Sequence, residues 1–85
     1  MNKAMKVLYT YRILCEMYAC NGRAVGSSEL MDAVNFQNNF GSISQGTFYG
    51  YIKALMNLGF VVRVARGWYV PVDIYQMHMD DYINE

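Results

Sequence analysis

The side chains of this 85-residue chain that are suited to chemistry gather in two short stretches. Gln45, Tyr49 and Lys53 are spaced four apart, so in a helix they share one side. A glutamine can pair with the edge of an adenine, while a tyrosine and a lysine can reach phosphate. Gly46 and Gly50 flank that side and would let a partner come close to the backbone. Ser44 and Thr47 stand at the start of the same segment, where unbonded helix amides attract phosphate. Arg63 and Arg66 follow on a second stretch, and Arg66 precedes Gly67 at an expected turn. An arginine at such a tip suits the narrow, electronegative minor groove of DNA. The chemistry on offer is the binding of a polyanion, not the making of bonds.

Plainer readings of the same residues stand beside this one. Gly46 and Gly50 would also permit close packing of helix on helix. Gln45, Tyr49 and Lys53 would also serve as an ordinary solvated face, and Arg66-Gly67 as a turn alone. Trp68 reads as a core or strand-packing residue before it reads as a base contact.

The inventory for catalysis is thin. His78 is the one histidine and lies in an acidic tail, away from any evident nucleophile. A zinc site needs several Cys or His ligands at motif spacing, and no phosphate-cradling glycine loop of the P-loop kind occurs. The expectation is therefore a non-enzyme with no catalytic residue, metal or cofactor. Cys15 and Cys20 are five apart, which turns their thiols roughly 140° from each other on a helix. They are read as buried apolar residues that do not bridge. A start without signal-peptide character points to a reduced, cytoplasmic setting. No apolar run approaches the ~20 residues needed to span a membrane.

Composition sets the frame. At 54% hydrophobic and 16% charged, the chain lies outside the signature of disorder and suits a single small domain. Net charge is zero, but its distribution is uneven. Residues 1–72 carry seven basic groups against Glu16, Glu29 and Asp32, a net of +4, whereas Asp73, Asp80, Asp81 and Glu85 make the tail −4. Between residues 33 and 72 lie Lys53, Arg63 and Arg66, with no acidic side chain.

The elements that must position these groups can be read in order. Residues 3–20 place Ala4, Val7, Leu8, Tyr11, Leu14, Cys15 and Tyr18 on one helical face, and Asn21-Gly22 ends that helix. Gly26-Ser27-Ser28 opens a second helix, with a serine oxygen as cap, Glu29 and Asp32 in the first turn, and Leu30, Met31 and Val34 facing inward. Asn35 to Gly41 reads as a polar connection around Phe36 and Phe40. A third helix runs from Ser44, its cap, to Leu58 before Gly59, burying Phe48, Ile52 and Leu55 with Tyr51 and Leu58. Phe60–Ala65 and Trp68–Val72 then form a hairpin, with Pro71 on an edge strand or at a strand end. The tail from Asp73 could form a short amphipathic helix.

The run from Gly46 to Val61 (GTFYGYIKALMNLGFV) resembles the recognition-helix signature of winged helix-turn-helix regulators, closest to the PadR-type pattern. A small residue and Thr precede an apolar residue and Tyr, then leucine-like positions, then Gly and an apolar pair entering the wing. The resemblance covers about residues 3–72. It differs from PadR-type proteins in two respects: they usually carry a long C-terminal dimerisation helix where 13 residues follow Val72 here, and usually Arg or Lys where Gly50 stands. It implies a mainly α fold with a small β-hairpin (α+β): a winged helix-turn-helix domain over 1–72, three helices and a two-stranded wing, with an acidic tail over 73–85. The implied function is sequence-specific binding of double-stranded DNA by a small homodimeric transcriptional regulator of phage, plasmid or archaeal type. A second reading, supported by net neutrality, is a winged-helix module that binds protein through Tyr49, Tyr51 and Trp68 as aromatic anchors.

Overall fold

A computed structural model describes residues 2–37 and 41–72 of the chain. Phe40 and the expected tail helix lie outside the described residues. Helix α1 spans Lys3–Asn21, strand β1 Val25–Gly26, helix α2 Ser27–Gln37, helix α3 Gln45–Asn57, strand β2 Val61–Ala65 and strand β3 Trp68–Pro71. The three strands form one antiparallel sheet in the order β1-β3-β2, so the fold is α+β and mainly helical.

The helix ends are set by local chemistry. Asn2 caps α1 by accepting the Met5 N–H at 2.9 Å, and Gly22, at φ 67°, ends it by donating to the Tyr18 carbonyl at 2.9 Å. Ser44 caps α3 as expected. At the other end, Gly59 adopts φ 80° and donates to Met56, while Phe60 donates to Leu55 at 2.9 Å. This pair of reverse bonds is a Schellman ending, and it turns the chain directly into β2.

The start of α2 differs from the expected serine cap. The Glu29 carboxylate accepts the Gly26 N–H at 2.8 Å, and the Ser27 N–H donates to the Gly67 carbonyl at 2.8 Å. α2 also runs on through Asn35, Phe36 and Gln37, which were expected in a loop. Asn35 then accepts the Ile43 N–H at 2.9 Å and so holds the connection to α3.

The hairpin is not the whole sheet. Val25 and Gly26 pair with Tyr69 and Trp68, adding a third strand that two residues are too few to signal by alternation. This makes β3 the central strand. Pro71 sits at its last position, where the missing N–H costs no interior ladder bond. β2 carries an irregularity between Arg63 and Ala65 before the two-residue Arg66-Gly67 turn, in which Gly67 takes φ 78°.

One core joins the layers. Ile13 and Leu14 of α1, Leu30 and Val34 of α2, Phe48, Ile52 and Leu55 of α3, and Val25 of β1 are almost wholly enclosed. The inner face of α1 is rotated from the expected one. Thr10 and Ile13 are buried, whereas Ala4, Leu8 and Tyr18 are exposed. Thr10 is admitted because its hydroxyl donates to the Lys6 carbonyl at 2.9 Å, leaving its methyl to pack. Leu58 is exposed as well, since it lies beyond the last turn of α3. Tyr11 bridges α1 to the sheet: its hydroxyl donates to the Val72 carbonyl at 2.8 Å, and its ring lies 5.6 Å from that of Phe60. Cys15 is half-buried and Cys20 exposed, not buried as expected, and the two do not bridge. No described helix is long and apolar enough to cross a membrane.

Leu55 is 0% exposed at the centre of this core. Leu55→Ala is expected to lower the unfolding free energy by about 2–5 kcal/mol, the usual cost of such a truncation. Equilibrium denaturation of the two proteins checks this. A loss below about 0.5 kcal/mol would mean that α3 is turned differently about its axis.

Candidate nucleic-acid interface

The site is built around the outside of α3. Burial of Phe48, Tyr51, Ile52 and Leu55 turns the opposite arc outward, and at 100° per residue that arc holds Gly46, Gly50, Lys53 and Asn57. Gln45 and Tyr49 do not share its centre, as the four-residue spacing had suggested. They lie on the flank facing α2, where Gln45 lines a cleft with Ser27, Ser28, Met31 and Asp32. Lys53 stays exposed on the outer arc, one turn beyond Tyr49.

The two glycines are not packing devices. A Cβ at Gly46 or at Gly50 would meet no atom within 4 Å among the described residues, so neither serves contact between the described helices. Their effect is a flat stretch of bare backbone on the outer arc, bordered by Lys53 and Asn57.

At the N-terminus of α3, Ser44 fills part of the anion site expected there. Its Oγ accepts the Thr47 N–H at 3.2 Å, and its hydroxyl donates to Thr47 Oγ1 at 3.0 Å. The Thr47 amide is therefore taken. Gln45 and Gly46 hold the remaining first-turn amides, which have no acceptor one turn earlier.

Next to this face a recess of about 550 Å³ opens between α3 and the hairpin, lined by Ser27, Tyr49, Arg63, Arg66, Gly67 and Tyr69. Arg63 pairs with Tyr69 across the β2–β3 ladder, so both project from the same side of the sheet. The Tyr49 hydroxyl donates to Ser27 Oγ at 3.3 Å, which leaves the Ser27 hydrogen to be donated outward. Ser27 was not anticipated. It joins three elements, through its amide to Gly67 and its hydroxyl to Tyr49.

Arg66 also lines a second recess of about 430 Å³ with Arg23, Glu29 and Trp68. Here Arg23 donates to the Glu29 carboxylate at 3.2 Å and lies 5.8 Å from the Trp68 ring centroid. Trp68 itself is 44% exposed and so is not a core residue, but its ring packs on the sheet beside Gly26 and Arg23. Tyr51 is buried and offers no anchor to a partner.

The charges divide into paired and open ones. Arg12 pairs with Glu16 and Arg23 with Glu29, each at 3.2 Å. Among the described residues Lys53, Arg63 and Arg66 have no carboxylate partner. On the other side of α3 a recess of about 340 Å³ is lined by Lys3, Lys6, Thr47, Gly50 and Tyr51. Lys3 and Lys6 read in sequence as the solvated side of α1. Only the α1–α3 packing brings them beside Thr47 and Gly50.

Compared with known proteins, the chain matches no family model, no curated protein and no solved structure.

Two expectations follow from this geometry. Gly50 is helical with open space where a Cβ would stand, so Gly50→Ala is expected to raise the unfolding free energy by about 0.5–1 kcal/mol. A loss of stability in denaturant titration would show that the position is closed off. Glu29 is held below its ordinary 4.5 by the Gly26 N–H, then by Arg23. A carboxyl with a depressed folded value stabilises above its unfolded value, and that contribution fades as pH falls through the folded one. Glu29→Gln should therefore lower Tm at neutral pH, and the gap from the parent should close in acid below 4.5. A gap that stays constant down the acid limb would contradict this.

Proposed function

We propose that the protein is a winged helix-turn-helix module that binds double-stranded DNA, with α2 and α3 as the helix-turn-helix and the β2–β3 hairpin as the wing. The observation that carries this reading is the pair Arg63 and Arg66, without carboxylate partners among the described residues, opening into the recess beside the outer arc of α3. Two exposed cations next to a helix face with a floor of bare glycine suit a helix laid into a groove with a phosphate backbone alongside. In this reading Lys53 and Asn57 face the groove with Gly46 and Gly50, and Gln45 reaches it from the α2 flank. The Gln45 and Gly46 amides and the Ser27 hydroxyl then donate to phosphate.

The wing is short. Its tip is fastened by the Gly67 carbonyl to the Ser27 amide, so Arg66 stays next to α2 instead of extending on a free arm. That favours phosphate as its contact over the floor of the minor groove. A 13-residue reader is about 20 Å long and covers one half-site, which favours action as a homodimer and a role as a small transcriptional regulator.

One observation favours the second reading, a module that binds protein. Val62, Val64 and Trp68 are between 44% and 55% exposed on the hairpin. Interface centres are rich in such aromatic and apolar groups.

Fluorescence anisotropy with a labelled 20-bp mixed-sequence duplex separates the two. The parent is expected to bind more weakly as salt rises, because bound cations displace condensed counterions. The double variant Arg63→Gln/Arg66→Gln is expected to keep its Tm and to show a salt slope shallower by about 2. No duplex binding by the parent at low salt would refute the DNA reading and leave the Trp68 surface as the candidate.

A further inference from the structure

The outer arc of α3 has a cationic recess on each side, and only one of them belongs to the wing. Thr47 and Tyr49 are about 160° apart across the exposed arc of α3, with Gly46 and Gly50 between them. Tyr49 lines the recess of Arg63 and Arg66. Thr47 lines the recess of Lys3 and Lys6. The two recesses therefore flank a single helix. A helix with its side chains is about 10–12 Å across, close to the ~12 Å width of the major groove. Cations on both flanks of a helix seated in that groove would face its two phosphate rims.

The second recess has further features that suit an anion. Among the described residues no acidic side chain lines it, and the Thr47 oxygen, which accepts from Ser44, keeps its own hydrogen for donation. The first turn of α1 holds no acidic residue to complement the positive end of the helix. It holds Lys3 instead, with Lys6 three residues on, on the same side. Two lysines at the positive end of a helix place a further concentration of positive charge there, which suits an anion.

We infer that Lys3, Lys6 and Thr47 form a second phosphate-binding site, which holds the DNA strand opposite the one held by Arg63 and Arg66. This rests on the DNA-binding reading above. It adds that the N-terminus of α1 is part of the DNA surface and that α3 is gripped from both strands.

The test begins with a duplex selected by the parent protein from a random-sequence pool. Hydroxyl-radical footprints are then taken on each strand for the parent, for Lys3→Gln/Lys6→Gln and for Arg63→Gln/Arg66→Gln. Anisotropy salt slopes and Tm are measured for the same three proteins. The parent is expected to protect both strands. Within each half-site the lysine variant should lose protection on one strand and the arginine variant on the other, each with a slope shallower by about 2 per bound protomer and an undiminished Tm. An unchanged footprint and slope for the lysine variant, beside a changed arginine variant, would overturn the second site and leave the DNA reading standing. Equal loss on both strands within one half-site from the lysine variant would also count against it. Failure of the parent to bind any duplex would remove both.

Discussion

The rotation of α3 about its own axis is the constraint on which the rest of the molecule depends. Four enclosed residues, Phe48, Tyr51, Ile52 and Leu55, fix that rotation against α1 and the sheet. Each buried side chain of this size is worth about 1.5–3 kcal/mol, so a slip of one residue would forfeit most of what stabilises a small domain. The same rotation decides which residues meet solvent. Gly46, Gly50, Lys53 and Asn57 face outward because Phe48 and Ile52 face inward. The outer face carries two residues that weaken a helix, and the core face supplies the stability to tolerate them.

Around this helix the other elements serve as fasteners. Ser27 ties the hairpin turn to α2 through its amide and receives Tyr49 of α3 through its hydroxyl. Tyr11 fastens α1 to Val72, and Val72 closes the hairpin base by donating to Phe60 at 2.8 Å. The result is that Arg63, Arg66, Lys3 and Lys6, which come from distant parts of the chain, stand on the two flanks of one helix. Their positions are inherited from apolar packing.

Much of this was legible in the residues. Gly22 and Gly59 marked helix ends because a left-handed residue must follow a helix that closes its own carbonyls, and both do so here. The buried stripe of α3 and the Arg66-Gly67 turn were legible for similarly local reasons. What escaped was set by tertiary contact. β1 has two residues and exists only because β3 lies beside it. The inner face of α1 could not be phased from apolar spacing, because two apolar arcs compete and Thr10 enters the core by bonding its hydroxyl to the preceding turn. For the same reason Tyr49 and Lys53 were grouped with Gln45. Spacing by four gives a shared side but not the centre of the exposed arc. The place of Lys3 and Lys6 beside Thr47 had no signal in sequence, since 41 residues separate Lys6 from Thr47.

The most direct test of the proposed reader is amide chemical-shift mapping by NMR, with a short duplex added to the isotope-labelled protein at low salt. The largest shifts are expected at Gly46, Gly50, Lys53 and Asn57, with Arg63 and Arg66 on one flank and Lys3 and Lys6 on the other. Shifts centred instead on Val62, Val70 and Trp68, or no shifts at all, would contradict it.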